Sequence, residues 1–577
     1  MKFFHVYNED LLVGLEKNGF LNKDSGFKIQ NVFSVPKHLL FHNVAAKGGK
    51  LYNMIREGNI PFYVDRIAGG IIYFPYQYDK ALLREYSELL GNWFLGAQLH
   101  ESGNTRRIDW QRMIKHTGGC KGPYDPEELR RVMLRPARVT QDGVVLEGLI
   151  QDCTAFYADK RYAETYQEYT EEMRDMYRRR MAEVDGHILP CDSSYVATKL
   201  QDELGMKSFM LEVGSQIPLM RLQVAIARGV AQAAKKTWGT YYECWRPVPG
   251  VGATMPCFNQ DPGNEWYLTQ ETHPDDFTSY GENGGSSRLL QNRIYYYSLM
   301  SGADYLSEEW GANCSYDDMN DFTLSEYGLV KKDFINTALE MRDVKAVIPF
   351  AIVLPKKYSC VCLREISEYK LGSHGTTYME ANLSEEDQKY FAHMKDVLKL
   401  FFGANGETYG NEGHVITNSR FGDVANVIYE DAPAEVLRQY EYLIDATPDS
   451  SFAKAKADSG LKILKSTDLG AFEQEMRKLI MQVMPCYVDD LCWVASYDGA
   501  GKRYLTIFNN EGNERSLEHG DTLLAEADRV ATVTFKEETA PKLIKEAVKT
   551  DKVEIRKVDA NTYQIKVPAA AFVVLEY

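Results

Sequence analysis

Gly302-Ala-Asp-Tyr-Leu-Ser-Glu-Glu-Trp310 is the stretch whose reading decides the fold. Residues 303–306 are short and apolar enough for a buried strand. The segment before them, 287–300, reads as a helix, with Ser286 and Ser287 as N-cap candidates and Gly302 as its stop. Two adjacent carboxylates, Glu308 and Glu309, and an indole, Trp310, follow directly. In a parallel α/β barrel the chemistry sits at the C-terminal ends of the strands. A carboxylate beside an exposed indole supplies an acid, base or nucleophile together with a flat apolar face for a pyranose ring. The plain alternative is a solvated loop start with Trp310 in the core.

Working outward, strand and helix alternate from about residue 28 to residue 354. Strands are expected at 28–34, 61–65, 93–99, 186–190, 208–211, 240–242, 303–306 and 346–354, with helices at 80–90, 157–183, 218–236, 287–300 and 327–341. The helix over 157–183 is rich in Tyr, Glu and Arg and is read as a solvated outer face. Such alternation predicts parallel strands with crossover helices, and its length fits a (β/α)8 TIM barrel. A seven-stranded or doubly wound sheet is the competing count. The long stretch 246–283, with Trp266 and His273, is expected to act as a lid or binding loop. After Pro355 the pattern shifts to a helix over 386–400 with short strands at 424–428 and 442–444, a small α/β domain. From Cys486 onward short strands at 491–496, 503–508, 530–535 and 571–577 predict an antiparallel β-sandwich. The expected division is 1–355, 356–484 and 485–577.

The chain has 577 residues, 44% of them hydrophobic and 26% charged, which is ordinary globular composition for several domains. A net charge of −16 argues against nucleic acid or an anionic membrane as main partner. No apolar run reaches transmembrane length and the first residues carry no signal-peptide core, so a cytoplasmic location is expected. The ten cysteines are scattered without zinc-ligand spacing and read as buried thiols. No phosphate-binding glycine loop, HExxH motif or nucleophile elbow occurs, and no cofactor is expected.

Acids end several of the expected strands: Glu101, Asp192, Glu212, Glu243, and Glu308 with Glu309. Trp93, Trp245 and Trp310 lie near them in sequence. Glycoside hydrolysis needs two carboxyl groups across the scissile bond, one of them protonated. A separation of about 5 Å gives retention of configuration, and about 6.5–9.5 Å leaves room for an inverting water. Crowded acids raise one another's pKa and so create the proton donor. Two other readings compete. His100 with Glu101, Asp65 and Asp192 could build a metal-dependent hydrolase, and a barrel without catalysis could simply bind carbohydrate.

The stretch 301–311, followed by Leu324-Ser-Glu-Tyr-Gly-Leu-Val-Lys-Lys-Asp-Phe334, resembles the seventh strand and following helix of clan A barrel glycoside hydrolases. In architecture the chain is most similar to the family 42 β-galactosidases. Those enzymes follow the barrel with an amidotransferase-like (flavodoxin-like) α/β domain, often used in trimerisation, and a small β-sandwich. Gly422-Asp-Val-Ala-Asn-Val-Ile-Tyr429 with Tyr442-Leu-Ile-Asp445 resembles the former, and Tyr504-Leu-Thr-Ile-Phe-Asn-Asn510 the latter. The resemblance implies a retaining glycosidase for β-galactoside or β-glucoside oligosaccharides, assembled as a homodimer or homotrimer. Its nucleophile, a Glu ending the seventh strand, falls on Glu309 or its neighbour Glu308. Its acid/base, a Glu ending the fourth strand, falls on Glu212, although Leu211 replaces the usual Asn and that strand counts as the fifth here. Glu243 is the rival for either role. Glu101 with His100 suits sugar hydroxyls, and Asp192, Trp245, Trp266 and Trp310 complete the expected substrate surface.

Overall fold

The structure is a computed structural model. It describes residues 1–7, 9–29, 47–67, 80–100, 118–119, 122–123, 125–127, 165–192, 195–213, 220–242, 283, 285–309, 311–362, 384–403, 416–516, 518–547 and 552–577. Eight parallel strands close a barrel in chain order: β1 (Lys2–Tyr7), β2 (Ser25–Ile29), β3 (Phe62–Ile67), β4 (Phe94–His100), β5 (Ile188–Asp192), β6 (Ser208–Val213), β7 (Thr237–Tyr242) and β8 (Tyr305–Glu308). Closure comes from β8 pairing with β1, Lys2 opposite Tyr305 and Phe3 opposite Leu306. Helices follow the eight strands in turn: Glu9–Lys17, Lys50–Gly58, Lys80–Leu90, Tyr166–Glu183, Thr198–Glu203, Met220–Ala234, Arg288–Met300 and Glu326–Glu340. This is the expected (β/α)8 arrangement with a corrected strand count.

Two corrections move that count. The first strand is Lys2-Phe-Phe-His-Val-Tyr7, at the start of the chain, and the second runs over Ser25–Ile29 instead of 28–34. The expected eighth strand, 346–354, does not enter the barrel. Lys345–Ala346 pairs antiparallel with Ser496 and Tyr497, and Phe350–Leu354 lies inside a four-stranded parallel sheet with Ala425–Tyr429, Tyr442–Asp445 and Ile463–Lys465. A continuous apolar strand suits any parallel sheet buried on both faces, so its composition could not choose between the two sheets. Glu212 therefore ends the sixth strand, and Glu308 the eighth.

Beyond the barrel the described strands also form two larger antiparallel sheets, besides three two-stranded ones. One has five strands, running Lys345–Ala346, Cys492–Tyr497, Arg503–Phe508, Phe572–Glu576, Lys542–Glu546. The other has four, running Cys486–Val488, Arg529–Phe535, Thr562–Val567, Glu554–Lys557.

Two barrel helices are covered by the parallel and the five-stranded sheets, so they are buried almost all round, polar residues included. Met220–Ala234 packs on the parallel sheet, where a Cβ on Gly229 would stand 2.3 Å from the Val427 carbonyl oxygen. Arg228 there pairs with Asp423 at 3.1 Å and donates to Asn426 at 2.7 Å. Arg288–Met300 packs on the five-stranded sheet through Tyr296 against Phe572 and Tyr297 against Phe508, with ring centroids 4.4 and 5.8 Å apart. The 166–183 helix is instead amphipathic. Thr165 and Glu168 form its capping box, and Tyr169, Met173, Met176 and Tyr177 are buried against the barrel. Among the described residues no helix is long and apolar enough to cross a membrane. The cysteines at 191, 314, 360, 486 and 492 are buried thiols.

Candidate active site

Side chains alternate along each strand, so every second residue enters the barrel. The lower interior is apolar, filled by Phe4, Tyr63, Leu95, Leu189, Met210 and Tyr305. Gly239 on β7 makes room there, since a Cβ would come 2.2 Å from the Tyr305 ring. Two residues further along the same strands, toward their C-terminal ends, the interior turns polar. Lys28, Asp65, His100, Cys191, Glu212, Tyr241 and Ser307 form this layer.

A bulge aims His100 into it. Leu95 packs inside, yet Ala97 and Leu99 pack outside with the helix layer, while Gly96 adopts φ 105° and the β3–β4 register shifts at this point. The extra residue reverses the alternation, so Gln98 and His100 face inward. Gln98 reaches the Met210 sulfur at 3.3 Å, and His100 Nε2 lies 3.3 Å from Glu212 Oε1. The His100 ring also meets the Tyr241 ring edge-on at 5.9 Å.

Across the barrel, Lys28 is wholly buried on β2. Its Nζ donates to the Tyr241 hydroxyl at 3.1 Å and the Glu308 carbonyl oxygen at 2.9 Å, as well as to the Glu309 carbonyl, and it lies 3.5 Å from Asp65 Oδ2. Tyr63 shares a hydrogen bond with Ser307 at 2.7 Å. Burial, reinforced by Asp65, holds the Tyr63 phenol well above its ordinary pKa, so it stays protonated.

The expected site residues separate by register. On β8, Tyr305 and Ser307 enter the barrel, while Leu306 packs outside and Glu308 turns with it toward the helices. The Glu308 carboxylate pairs with Lys331 and accepts the Tyr295 hydroxyl, both on barrel helices. It belongs to the wall, not to the mouth. Glu309 is the first residue past β8. Its N–H donates to the Tyr242 carbonyl at 2.8 Å, and only 7% of the residue is exposed.

Asp192 also faces outward, accepting Tyr177 at 2.7 Å and Gln201 at 2.8 Å from two helices. Glu212 faces inward from β6 and is 1% exposed. Glu101, Glu243, Trp245, Trp266, His273 and Trp310, and all of the expected lid over 246–283 except Asn283, lie outside the described residues.

Lys28, Tyr241 and Cys191 were missed in the sequence. Gly26-Phe-Lys28 and Leu189-Pro-Cys191 do alternate correctly for a shared interior face, but only a correct register for β2 and β5 reveals it.

The ring of groups sets the Glu212 carboxyl beside the His100 imidazole, with the buried Lys28 amine on the opposite wall. No family model matches the chain, and no curated protein matches it. Among solved structures it is similar to α-L-fucosidase isoenzyme 2 from Paenibacillus thiaminolyticus, at 10% identity over 99% of this chain and 96% of that one, TM-score 0.40. It is also similar to the catalytic module of a family 98 glycoside hydrolase from Streptococcus pneumoniae, at 11% identity over 100% and 98%, TM-score 0.38. A third likeness is to an α-amylase from H. orenii, at 9% identity over 89% of each chain, TM-score 0.25.

Proposed function

We propose that the chain is a glycoside hydrolase working with two carboxylates at the C-terminal mouth of its barrel. The observation carrying this reading is the interior register of Glu212 at the end of β6, facing the point where Glu309 leaves β8. Strands two apart in a barrel wall stand about 10 Å from each other. Glutamate side chains converging from them come into the range that glycosidases use, about 5–9.5 Å. His100 beside Glu212 supports an acid/base role for that carboxylate. Glu309 is then the nucleophile of a retaining enzyme, with β-galactoside or β-glucoside oligosaccharides as substrate class.

The corrected strand count favours a second assignment within the same function. The clan A pattern puts its two glutamates after the fourth and seventh strands, and the residues following β4 and β7 in sequence are Glu101 and Glu243. Glu212 with Glu309, and Glu101 with Glu243, are thus the two candidate pairs.

We extend the proposal to a three-part division, the expected 1–355, 356–484 and 485–577 with its first boundary moved to just before Phe350, so that Phe350–Leu354 joins the middle part. The parallel order of its strands supports an amidotransferase-like reading of that part, and the two antiparallel sheets support a terminal sandwich. A homo-oligomer, dimer or trimer, in the cytoplasm completes the reading.

The test is turnover of a panel of nitrophenyl α- and β-glycosides and of natural oligosaccharides, with the anomeric proton followed by NMR. Release of sugar with retained configuration supports the proposal. A purified, folded chain that cleaves none of them rejects it.

A further inference from the structure

Three adjacent barrel strands each contribute one metal-ligating atom to a common point. His100 on β4 and Cys191 on β5 are direct register partners, and Cys191 is in turn the partner of Met210, two residues before Glu212 on β6. The imidazole nitrogen, the thiol sulfur and a carboxylate oxygen all lie within 4.8 Å of one another. Cys191 and Glu212 are buried, and His100, the outermost of the three, is 13% exposed at its side chain. All three stand on strands, so their backbones are fixed by the barrel ladder.

We propose that His100, Cys191 and Glu212 form a binding site for a thiophilic divalent cation of the zinc class. Nitrogen, sulfur and oxygen donors of these kinds suit zinc. Tetrahedral bonds of about 2.0–2.3 Å require donors roughly 3.3–3.8 Å apart, which side-chain rotation of about 1 Å supplies. A thiolate and a carboxylate neutralise the two positive charges while the imidazole binds uncharged, so the loaded site carries no net charge into a buried position. Binding releases the thiol proton to solvent and leaves a fourth coordination position.

The inference needs the glycosidase reading at one point only: a cation on Glu212 removes that carboxylate from acid/base duty, so zinc inhibits turnover.

The experiment uses the full chain, stripped by a chelator and titrated with Co2+. One equivalent should produce a thiolate-to-cobalt charge-transfer band in the near ultraviolet, which Zn2+ then displaces. Cys191→Ser should abolish the band, and His100→Gln should weaken binding at least tenfold, with far-UV circular dichroism unchanged in both. Absence of the band in the wild type, or its survival in Cys191→Ser, overturns the proposal. Glycoside turnover by the metal-free protein is read in parallel. Turnover without a cobalt band rejects the cation site alone. A cobalt band lost in Cys191→Ser, with no turnover in any preparation, upholds the cation site and rejects the glycosidase reading alone.

Discussion

Lys28 and Asp65 face each other across 3.5 Å inside the barrel, from adjacent strands, with side chains 0% and 5% exposed. An ammonium so placed is stable only because its protons are used. The Tyr241 hydroxyl and the carbonyls of Glu308 and Glu309 take them, while Asp65 balances the charge. Lys28 thereby ties β2 to the chain leaving β8, where Glu309 begins its loop. Lys28→Met leaves Asp65 buried without its counter-ion and should cost about 3–5 kcal/mol. Lys28→Met with Asp65→Leu removes both charges and should cost less than Lys28→Met alone. Urea unfolding of the two variants tests this, and a double variant less stable than the single one contradicts it.

Glu308 and Glu309 are neighbours with opposite duties. Glu308 is gripped outside the barrel by Lys331 and Tyr295, and a Cβ on Gly311 would approach its Oε2 to 2.8 Å. Glu308→Ala strands the buried Lys331 charge and should lower stability by about 3–5 kcal/mol. Turnover per folded molecule should stay within a few-fold of wild type. Gly311→Ala should mimic it more weakly by crowding the same carboxylate. Melting temperature and active-site-normalised kcat separate the two effects.

Stability should fall in mild acid because of His5. Its ring is buried, stacked 4.9 Å from Phe3 and tilted against Phe20 at 5.7 Å. Burial first, and the nearby Lys331 charge second, hold its pKa well below the ordinary 6.5. The unfolded chain then binds the proton that the folded chain refuses. The His5 contribution is therefore complete above pH 6.5. It is lost as pH falls below that value, at up to about 1.4 kcal/mol per pH unit. His5→Leu should flatten the stability–pH curve between roughly pH 6.5 and pH 5. An unchanged slope in that variant would assign the acid sensitivity elsewhere.

Most of the barrel was legible from the sequence because strand–helix alternation is a strong local signal. The helix start at Ser287 followed from its cap, while the expected start at Pro218 lies outside the described residues. The expected number of eight strands held, but two of them were misidentified at places where local pattern is silent. Lys2-Phe-Phe-His-Val-Tyr7 lacks the strict polar–apolar alternation that marks a strand, and Phe350–Leu354 reads the same in either parallel sheet. The site suffered more, since a one-residue change of register exchanges interior for exterior. Glu308 and Asp192 were expected in the mouth and instead hold helices to the wall. His100 faces inward only because Gly96 carries a bulge, a tertiary feature that composition does not encode. The His100, Cys191 and Glu212 cluster has no motif spacing because three successive strands assemble it.

The catalytic pair gives the sharpest test. A strand-end acid adds little to the core, so Glu309→Ala, Glu243→Ala and Glu101→Ala should fold nearly as wild type. Glu212→Ala, more deeply buried, should lose somewhat more stability through its contact with His100. Removing a group that acts only in the transition state should lower turnover by several orders of magnitude. Azide distinguishes the roles, because it attacks a different species in each. A nucleophile variant is rescued by azide entering directly at the sugar carbon, giving a glycosyl azide of inverted configuration. An acid/base variant is rescued at the glycosyl-enzyme, and its azide product is retained. Glu309→Ala should yield the inverted azide and Glu212→Ala the retained one. If Glu243→Ala and Glu101→Ala give those products instead, while Glu309→Ala and Glu212→Ala keep near-normal turnover, the pair after β7 and β4 carries the chemistry. Inversion by the wild type would keep the carboxylates but make the first of them the base for a water, and then no variant should accumulate a glycosyl-enzyme.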